Sequence, residues 1–387
     1  MSYPQPAARM GSIAPFRVMD ILARAQQMDR QGREVVHMEV GEPDFPAPDA
    51  VNRAAGEAIA AGRTHYTPAL GMQPLRESIA AYYADRFGLD IDPRRVLVTP
   101  GASGALQLIL GVLIDPGDEV LLQDPGYPCN RHMISMFGGR PRALPRMDPG
   151  FDEEMAVAAM QDAVGLMLAT PSNPTGEVIP LQRLDALYQR MRPARRFLIV
   201  DEIYQGLQYD RTPRSALELG EQGLFVINSF SKYFGMTGYR IGWAVVPEEW
   251  VEPIERLAQN LFLAPPTVAQ HAAMAAFSPA VLEELERRRE VFERRRKLLF
   301  EGLGSLGFGL PPKPPDGAFY LYAGIDALDR GDGEVFAAEL LQQQAVAITP
   351  GVDFGSRDTA RHVRFAYTTE EDRIRQGLDR IASFLGR

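Results

Sequence analysis

Between residues 96 and 246, short apolar runs alternate with helical stretches, and this alternation constrains the fold more than any other feature of the chain. The strand candidates are 96–98, 119–123, 142–144, 163–169, 196–200, 224–229 and 241–246. They are short, apolar and in several cases β-branched, as buried strands are. Strands and helices in alternation predict an α/β architecture: a mainly parallel seven-stranded sheet flanked by helices on both faces. Ligands of such sheets bind beyond the carboxyl ends of the strands.

The flanks read differently. A helix is expected over 13–31, closed by Gly32, then a strand over 35–40 and helices near 48–62 and 72–87. A long charged helix covers 280–302, where arginines 287–289 and 294–296 are interspersed with glutamates and read as a solvated, self-paired face. Pro311-Pro312-Lys313-Pro314-Pro315 marks a break. Strands over 318–322, 346–348 and 362–366, with helices over 333–344 and 370–385, make a smaller α+β domain. The expected division is a large domain over 41–285 and a small one over 286–387, with the segment 1–40 belonging to the small domain.

At 387 residues the chain is long enough for two domains. Its formal charge of −9 argues against a nucleic-acid or anionic-membrane partner, though not against a small anion in a local basic pocket. The single cysteine, Cys129, rules out an internal disulfide and a cysteine-based zinc site, and no metal is expected. No basic region followed by an apolar stretch opens the chain, so no signal peptide is expected. The longest uncharged stretch, within 257–282, is broken by Gln259, Asn260, Pro265, Pro266 and His271, which does not suit a membrane span. A soluble, cytoplasmic protein is the expectation.

The segment from Asn228 to Trp243 carries the chemistry. Lys232 follows an apolar strand and has Ser229, Ser231, Tyr233 and Phe234 around it, with no carboxylate among its immediate neighbours. A lysine near apolar groups and another cation has a lowered pKa and is nucleophilic. Ser229, Ser231 and Arg240 offer two hydroxyls and a guanidinium, donors that suit a phosphate. An amine able to form a Schiff base beside a phosphate site points to pyridoxal 5′-phosphate. Asp201, just after the buried run 196–200, is placed either to pair with a protonated pyridine nitrogen or to cap the next helix. Gly101-Ala102-Ser103 opens a helix after a strand, where free N–H groups favour an anion.

Ser-x-Ser-Lys with an arginine eight residues on, then Ile-Gly-Trp, closely resembles the cofactor-lysine signature of class I/II aminotransferases among the fold-type I pyridoxal phosphate enzymes. The resemblance runs from about residue 30 to the C-terminus. It includes Val200-Asp201-Glu202-x-Tyr204, Asn173-Pro174-Thr175-Gly176, Pro315-x-Gly317-Ala318-Phe319-Tyr320 and Thr349-Pro350-Gly351-x-x-Phe354-Gly355. It implies a lysine Schiff base on Lys232 and pyridine-nitrogen pairing by Asp201. It gives ring-oxygen contacts to Tyr204 and Asn173, stacking to Tyr127, and phosphate contacts to Gly101, Ala102, Ser103, Ser229, Ser231 and Arg240. Substrate carboxylate binding falls to Arg364, with Arg361 as its rival, and to Asn173 and the Gly41 backbone. Tyr66 resembles a tyrosine that reaches the phosphate from a second subunit, so a homodimer with shared sites is expected. The implied reaction moves an amino group from an L-amino acid to a 2-oxo acid. A lyase, decarboxylase or cyclising synthase on the same cofactor, or a non-enzymatic effector-binding domain, are the alternatives. Ile13, Phe16 and Tyr127 suggest an apolar entrance, and no second arginine is evident for a distal carboxylate, which favours a neutral or aromatic amino donor over aspartate.

Overall fold

The computed structural model describes residues 4–144, 153–210 and 212–387. Its main sheet has seven strands, and all seven come from the predicted runs. From edge to edge they are Val96–Thr99, Gly242–Val245, Leu224–Ser229, Phe197–Asp201, Ala163–Ala169, Glu119–Leu122 and Arg140–Ala143. Every neighbouring pair is parallel except those involving Gly242–Val245, which runs antiparallel to both its neighbours. The fold is therefore α/β with a mainly parallel sheet, as expected.

Side-chain alternation explains how the sheet is covered on both faces. Leu198, Val200, Val226, Trp243 and Val245 enter one buried cluster. Their neighbours Phe197, Ile199, Phe225, Ile227 and Ala244 enter another, packed with helix Gly101–Leu113 through Leu106, Ile109 and Leu110.

Reversal of the one antiparallel strand has a direct consequence for function. Parallel strands deliver their carboxyl ends, and so Thr99, Asp201 and Ser229, to one edge of the sheet. The antiparallel strand delivers its amino end there instead, with Ser229 opposite Gly242 and Thr99 opposite the same glycine. Lys232 and Arg240, at the two ends of one loop, thus arrive at the same edge.

The remaining strands form two small sheets. Val36–His37 pairs in parallel with Val346–Ala347, and Tyr320–Gly324, His362–Ala366 and Thr349–Pro350 make a three-stranded antiparallel sheet. Two expectations are corrected here. The strand over 35–40 shrinks to two residues, because Glu39 and Val40 turn toward the site and carry their carbonyls there. The strand over 346–348 shortens to Val346–Ala347, and a separate piece just after it, Thr349–Pro350, joins a different sheet. The N-terminal helix begins at Arg17, where the Asp353 carboxylate accepts from the N–H groups of Arg17 and Val18, both at 3.3 Å.

The long charged helix, Pro279–Ser305, is only partly self-paired. Glu283 with Arg287 and Glu293 with Lys297 form i,i+4 pairs, both at 2.9 Å. Arg295 and Arg296 are buried, and they reach across the fold to Asp44 at 2.8 Å and Asp210 at 2.6 Å. Among the described residues no helix is long and apolar enough to cross a membrane.

Candidate active site

Lys232 is half-buried in the loop after strand Leu224–Ser229, and its Nζ donates to the Gly41 carbonyl at 2.7 Å. Burial lowers its pKa to about 8, and the charges of Arg364 and Arg240 push the same way against the Glu42 and Asp201 carboxylates. A fraction of the amine is then unprotonated near neutrality, which an ordinary lysine does not offer. The loop is shaped by its serines. Ser229 Oγ donates to Ser231 Oγ at 2.9 Å, and the Ser231 N–H donates back to Ser229 Oγ at 3.0 Å.

Asp201 ends its strand 6% exposed, and burial raises its carboxyl to about 6 against the Ile203 N–H, which donates to Oδ1 at 3.0 Å. It remains ionised at neutral pH while poorly compensated. The helix-capping alternative is corrected here: no helix follows directly, since residues 202–205 form a turn, and the Ile203 N–H bond closes that turn while the carboxylate stays buried.

Arg364 lies in strand His362–Ala366 and is 2% exposed. Nη1 donates to Asn173 Oδ1 at 2.9 Å, and Nη2 donates to the Glu39 carbonyl and, at 3.3 Å, to Thr349 Oγ1. All of these acceptors are neutral. The Tyr320 and Phe354 rings lie 4.3 and 4.6 Å from its guanidinium carbon. Its rival Arg361 is committed elsewhere, to Asp326 at 2.8 Å and the Gly331 carbonyl at 2.7 Å.

At the opposite end of the site, Gly101 begins its helix with φ of 71°. A Cβ added there would lie 2.9 Å from Arg240 Nη2, so the guanidinium rests directly against the helix start. Arg240 itself donates to the Thr237 carbonyl at 3.0 Å. Ala102 and Ser103 follow in the first turn and are half-buried. Free N–H groups, the helix dipole and a guanidinium converge on one spot, an arrangement made for an anion.

Tyr204 is buried, and its hydroxyl lies 2.8 Å from that of Tyr320. Tyr127 is half-buried at the head of helix Pro128–Met136, with the Phe16 ring edge-on at 6.0 Å. Tyr66 is 83% exposed in the single chain, so this chain does not bring it to its own site.

Several participants escape a reading of the sequence. Tyr320 and Phe354 occur in quoted motifs but acquire a role only through Arg364. The Glu39 carbonyl has no side-chain signature, and Glu42 is far from Lys232 in sequence yet faces it in space.

A model of the family described as aminotransferase class I and II matches residues 33–381. The chain is 37% identical to (5-formylfuran-3-yl)methyl phosphate transaminase of Methanocaldococcus jannaschii, covering 98% of this chain and 99% of the relative. It is 35% identical to valine–pyruvate aminotransferase of Mycobacterium tuberculosis, with 98% of each covered. Among solved structures it is similar to an aminotransferase from Mycobacterium tuberculosis, with a TM-score of 0.95 at 34% identity over 99% of this chain and 100% of the other. It also matches aspartate aminotransferase of Thermus thermophilus bound to maleate, with a TM-score of 0.93 at 32% identity over 98% and 100%. Taken with the parallel sheet and the residues gathered at its edge, these similarities show that the chain is an enzyme of the aminotransferase class I and II family.

Proposed function

We propose that this enzyme uses pyridoxal 5′-phosphate to move the amino group of an L-amino acid to a 2-oxo acid. The observation that carries the reading is a pair of cations whose hydrogen bonds leave room for a stronger, charged partner. Arg364 and Lys232 share one site, and among the described residues their hydrogen bonds there go to neutral oxygens. A buried guanidinium held this way has its strongest partner still to come, and a carboxylate fits its fork in two parallel bonds.

The residues present fit the cofactor. The space against Gly101 that a Cβ would fill suits a phosphate, with the N–H groups of Ala102 and Ser103, the Ser229 and Ser231 hydroxyls and Arg240 as its donors. Lys232 supplies the amine that holds the aldehyde carbon, Asp201 the carboxylate for the ring nitrogen, and Tyr204 and Asn173 donors for the ring oxygen. Tyr127 would lie over the ring. When bound, pyridoxal phosphate supplies an aldehyde that takes up the amino group and a ring that withdraws electrons from the α-carbon.

The chain's own part is binding and proton movement. Arg364 and Asn173 fix the substrate carboxylate, which orients the Cα–H bond toward Lys232 Nζ. With its pKa near 8, that amine, once freed of the aldehyde, would be a base matched to neutral pH for taking up and giving back a proton near the substrate α-carbon. Gly41 contributes the carbonyl that holds the amine in place. Asp201 stays anionic there and so keeps a positive charge favourable at the ring nitrogen.

The amino donor is neutral or aromatic in this reading. Ile13 is half-buried, the Phe16 ring meets Tyr127, and Arg17 is paired with Glu334 rather than free for a second carboxylate. The named relatives differ in substrate, from valine with pyruvate to aspartate, so similarity alone does not choose. A homodimer in the cytoplasm completes the proposal, with the exposed Tyr66 serving the phosphate of the other subunit's site.

A panel of amino donors against 2-oxo acid acceptors, run on purified enzyme supplied with the cofactor, tests this. Neutral or aromatic donors should yield stoichiometric amino transfer and turn over at least about tenfold faster than aspartate, since an unpaired distal carboxylate in an apolar entrance costs 1–3 kcal/mol. Equal rates with aspartate would remove the apolar entrance. Release of ammonia or carbon dioxide in place of transfer would remove the transamination reading.

A further inference from the structure

We infer that Tyr320 is a positioning residue that couples the carboxylate grip of Arg364 to the hydroxyl of Tyr204. The inference rests on the cofactor reading above and deepens it. Tyr320 opens strand Tyr320–Gly324 opposite Ala366, two residues beyond Arg364 on the paired strand. It is 2% exposed, so its ring and hydroxyl are both spent on interior contacts. Its ring lies 4.3 Å from the Arg364 guanidinium carbon, and its hydroxyl lies 2.8 Å from that of Tyr204. A third contact comes from Gly41, whose missing side chain makes the room: a Cβ there would stand 1.7 Å from Tyr320 Oη. Gly41 is also the residue whose carbonyl holds Lys232 Nζ. One side chain therefore touches the residues assigned to the substrate carboxylate and the ring oxygen, and the glycine whose carbonyl holds the catalytic amine.

Proton counting sets the direction of the phenol pair. A phenol hydroxyl has one proton to give. If Tyr204 spends its proton on the cofactor's ring oxygen, it can only accept from Tyr320, so Tyr320 must be the donor in their bond. Accepting a hydrogen bond polarises the Tyr204 O–H and strengthens what it donates onward. The hydroxyl of Tyr320 thus acts on the ring oxygen through Tyr204, and its ring acts on the substrate carboxylate through Arg364. The two actions reside in separate parts of one side chain and can be separated.

Tyr320→Phe keeps the ring and removes the hydroxyl, while Tyr320→Leu removes both. The readouts are the pH midpoint of the visible absorbance of the cofactor-loaded enzyme, KM for the amino donor, kcat, and the melting temperature of the cofactor-free protein. In Tyr320→Phe the midpoint should rise by about 0.5–1 unit, because a weaker donor holds the ring-oxygen anion less well. Its KM should stay within about twofold of the parent, with kcat reduced. Tyr320→Leu should show the same midpoint shift and, in addition, a KM raised about fivefold from the lost ring contact. A Tyr320→Phe midpoint equal to the parent's overturns the proposal, as does a KM that rises as far in Phe as in Leu. If the Leu variant does not fold, the Phe variant decides alone by the same two readings. Failure of the underlying reading is distinguishable: Lys232→Ala would then keep the parent's absorbance and turnover. With Lys232→Ala behaving as expected, an unmoved Phe midpoint refutes the Tyr320 assignment by itself.

Discussion

Gly41 illustrates how much one missing side chain can decide. Its space is filled by the Tyr320 hydroxyl, so Gly41→Ala must displace either that ring or the backbone that holds Lys232. Since small misplacements of reacting groups are costly, kcat should fall at least about tenfold, and the melting temperature should fall as well, because the displaced ring is buried in the core. An alanine variant at parental activity would mean that the loop adapts freely. Asp201→Ala should bind cofactor and lose several kcal/mol of transition-state stabilisation, read as a drop of about a hundredfold or more in kcat. Near-normal turnover would leave Asp201 with its turn contact to the Ile203 N–H alone. His37 makes a pH prediction. Its hydrogen bond to Glu39 at 2.7 Å, with that to Asp29 at 2.8 Å, raises its pKa to about 9 from 6.5. A raised pKa gives stability that is complete below the unfolded value and disappears as pH rises through the folded one. The melting-temperature advantage of the parent over His37→Gln should be largest near pH 6 and fade between about 6.5 and 9. An advantage unchanged up to pH 10 would show that the charge is not what stabilises.

Among the elements, strands buried on both faces were the most legible. Leu224–Ser229 and Ala163–Ala169 have the bounds expected from sequence, because continuous burial demands an apolar run. The edge strand Arg140–Ala143 begins two residues before the run expected from sequence, since its charged, half-exposed sequence leaves little pattern to read. The arginine-rich helix is only partly legible in the sequence, for a different reason. Arg295 pairs with a residue 251 positions away, and nothing local distinguishes it from Arg294, which is exposed. Catalytic groups on motif loops could be recognised because their residue types are chemically demanding. Groups such as the Glu39 carbonyl could not, because every residue has one. Arg296 offers a test at this scale. It is 1% exposed, lies 4.6 Å from the Tyr209 ring centre and donates to the Pro315 carbonyl at 2.9 Å. Arg296→Ala should destabilise by about 2–4 kcal/mol through the cavity and the orphaned carbonyl, visible as a lowered denaturation midpoint. A change below about 0.5 kcal/mol would show the buried arginine to be incidental.

At the scale of the whole molecule, the site draws on segments from residue 39 to residue 364, brought to one sheet edge by strand order. We propose that 1–40 and 286–387 act with each other as the small domain against 41–285, which the pairing of Val36–His37 with Val346–Ala347 supports. Assembly can be tested by mixing Tyr66→Ala with Lys232→Ala under conditions of proven subunit exchange. A mixed dimer would concentrate both lesions in one site and leave the other intact, so activity should partly return. No recovery would remove Tyr66 from a shared site. The central claim is that Lys232 is the amine on which everything else converges. Borohydride reduction of the cofactor-loaded enzyme, followed by peptide mapping, addresses it directly. The account predicts one labelled peptide with the adduct on Lys232, and none at that position in Lys232→Ala; a label on any other lysine, or no covalent label from an enzyme that still transfers amino groups, would contradict it.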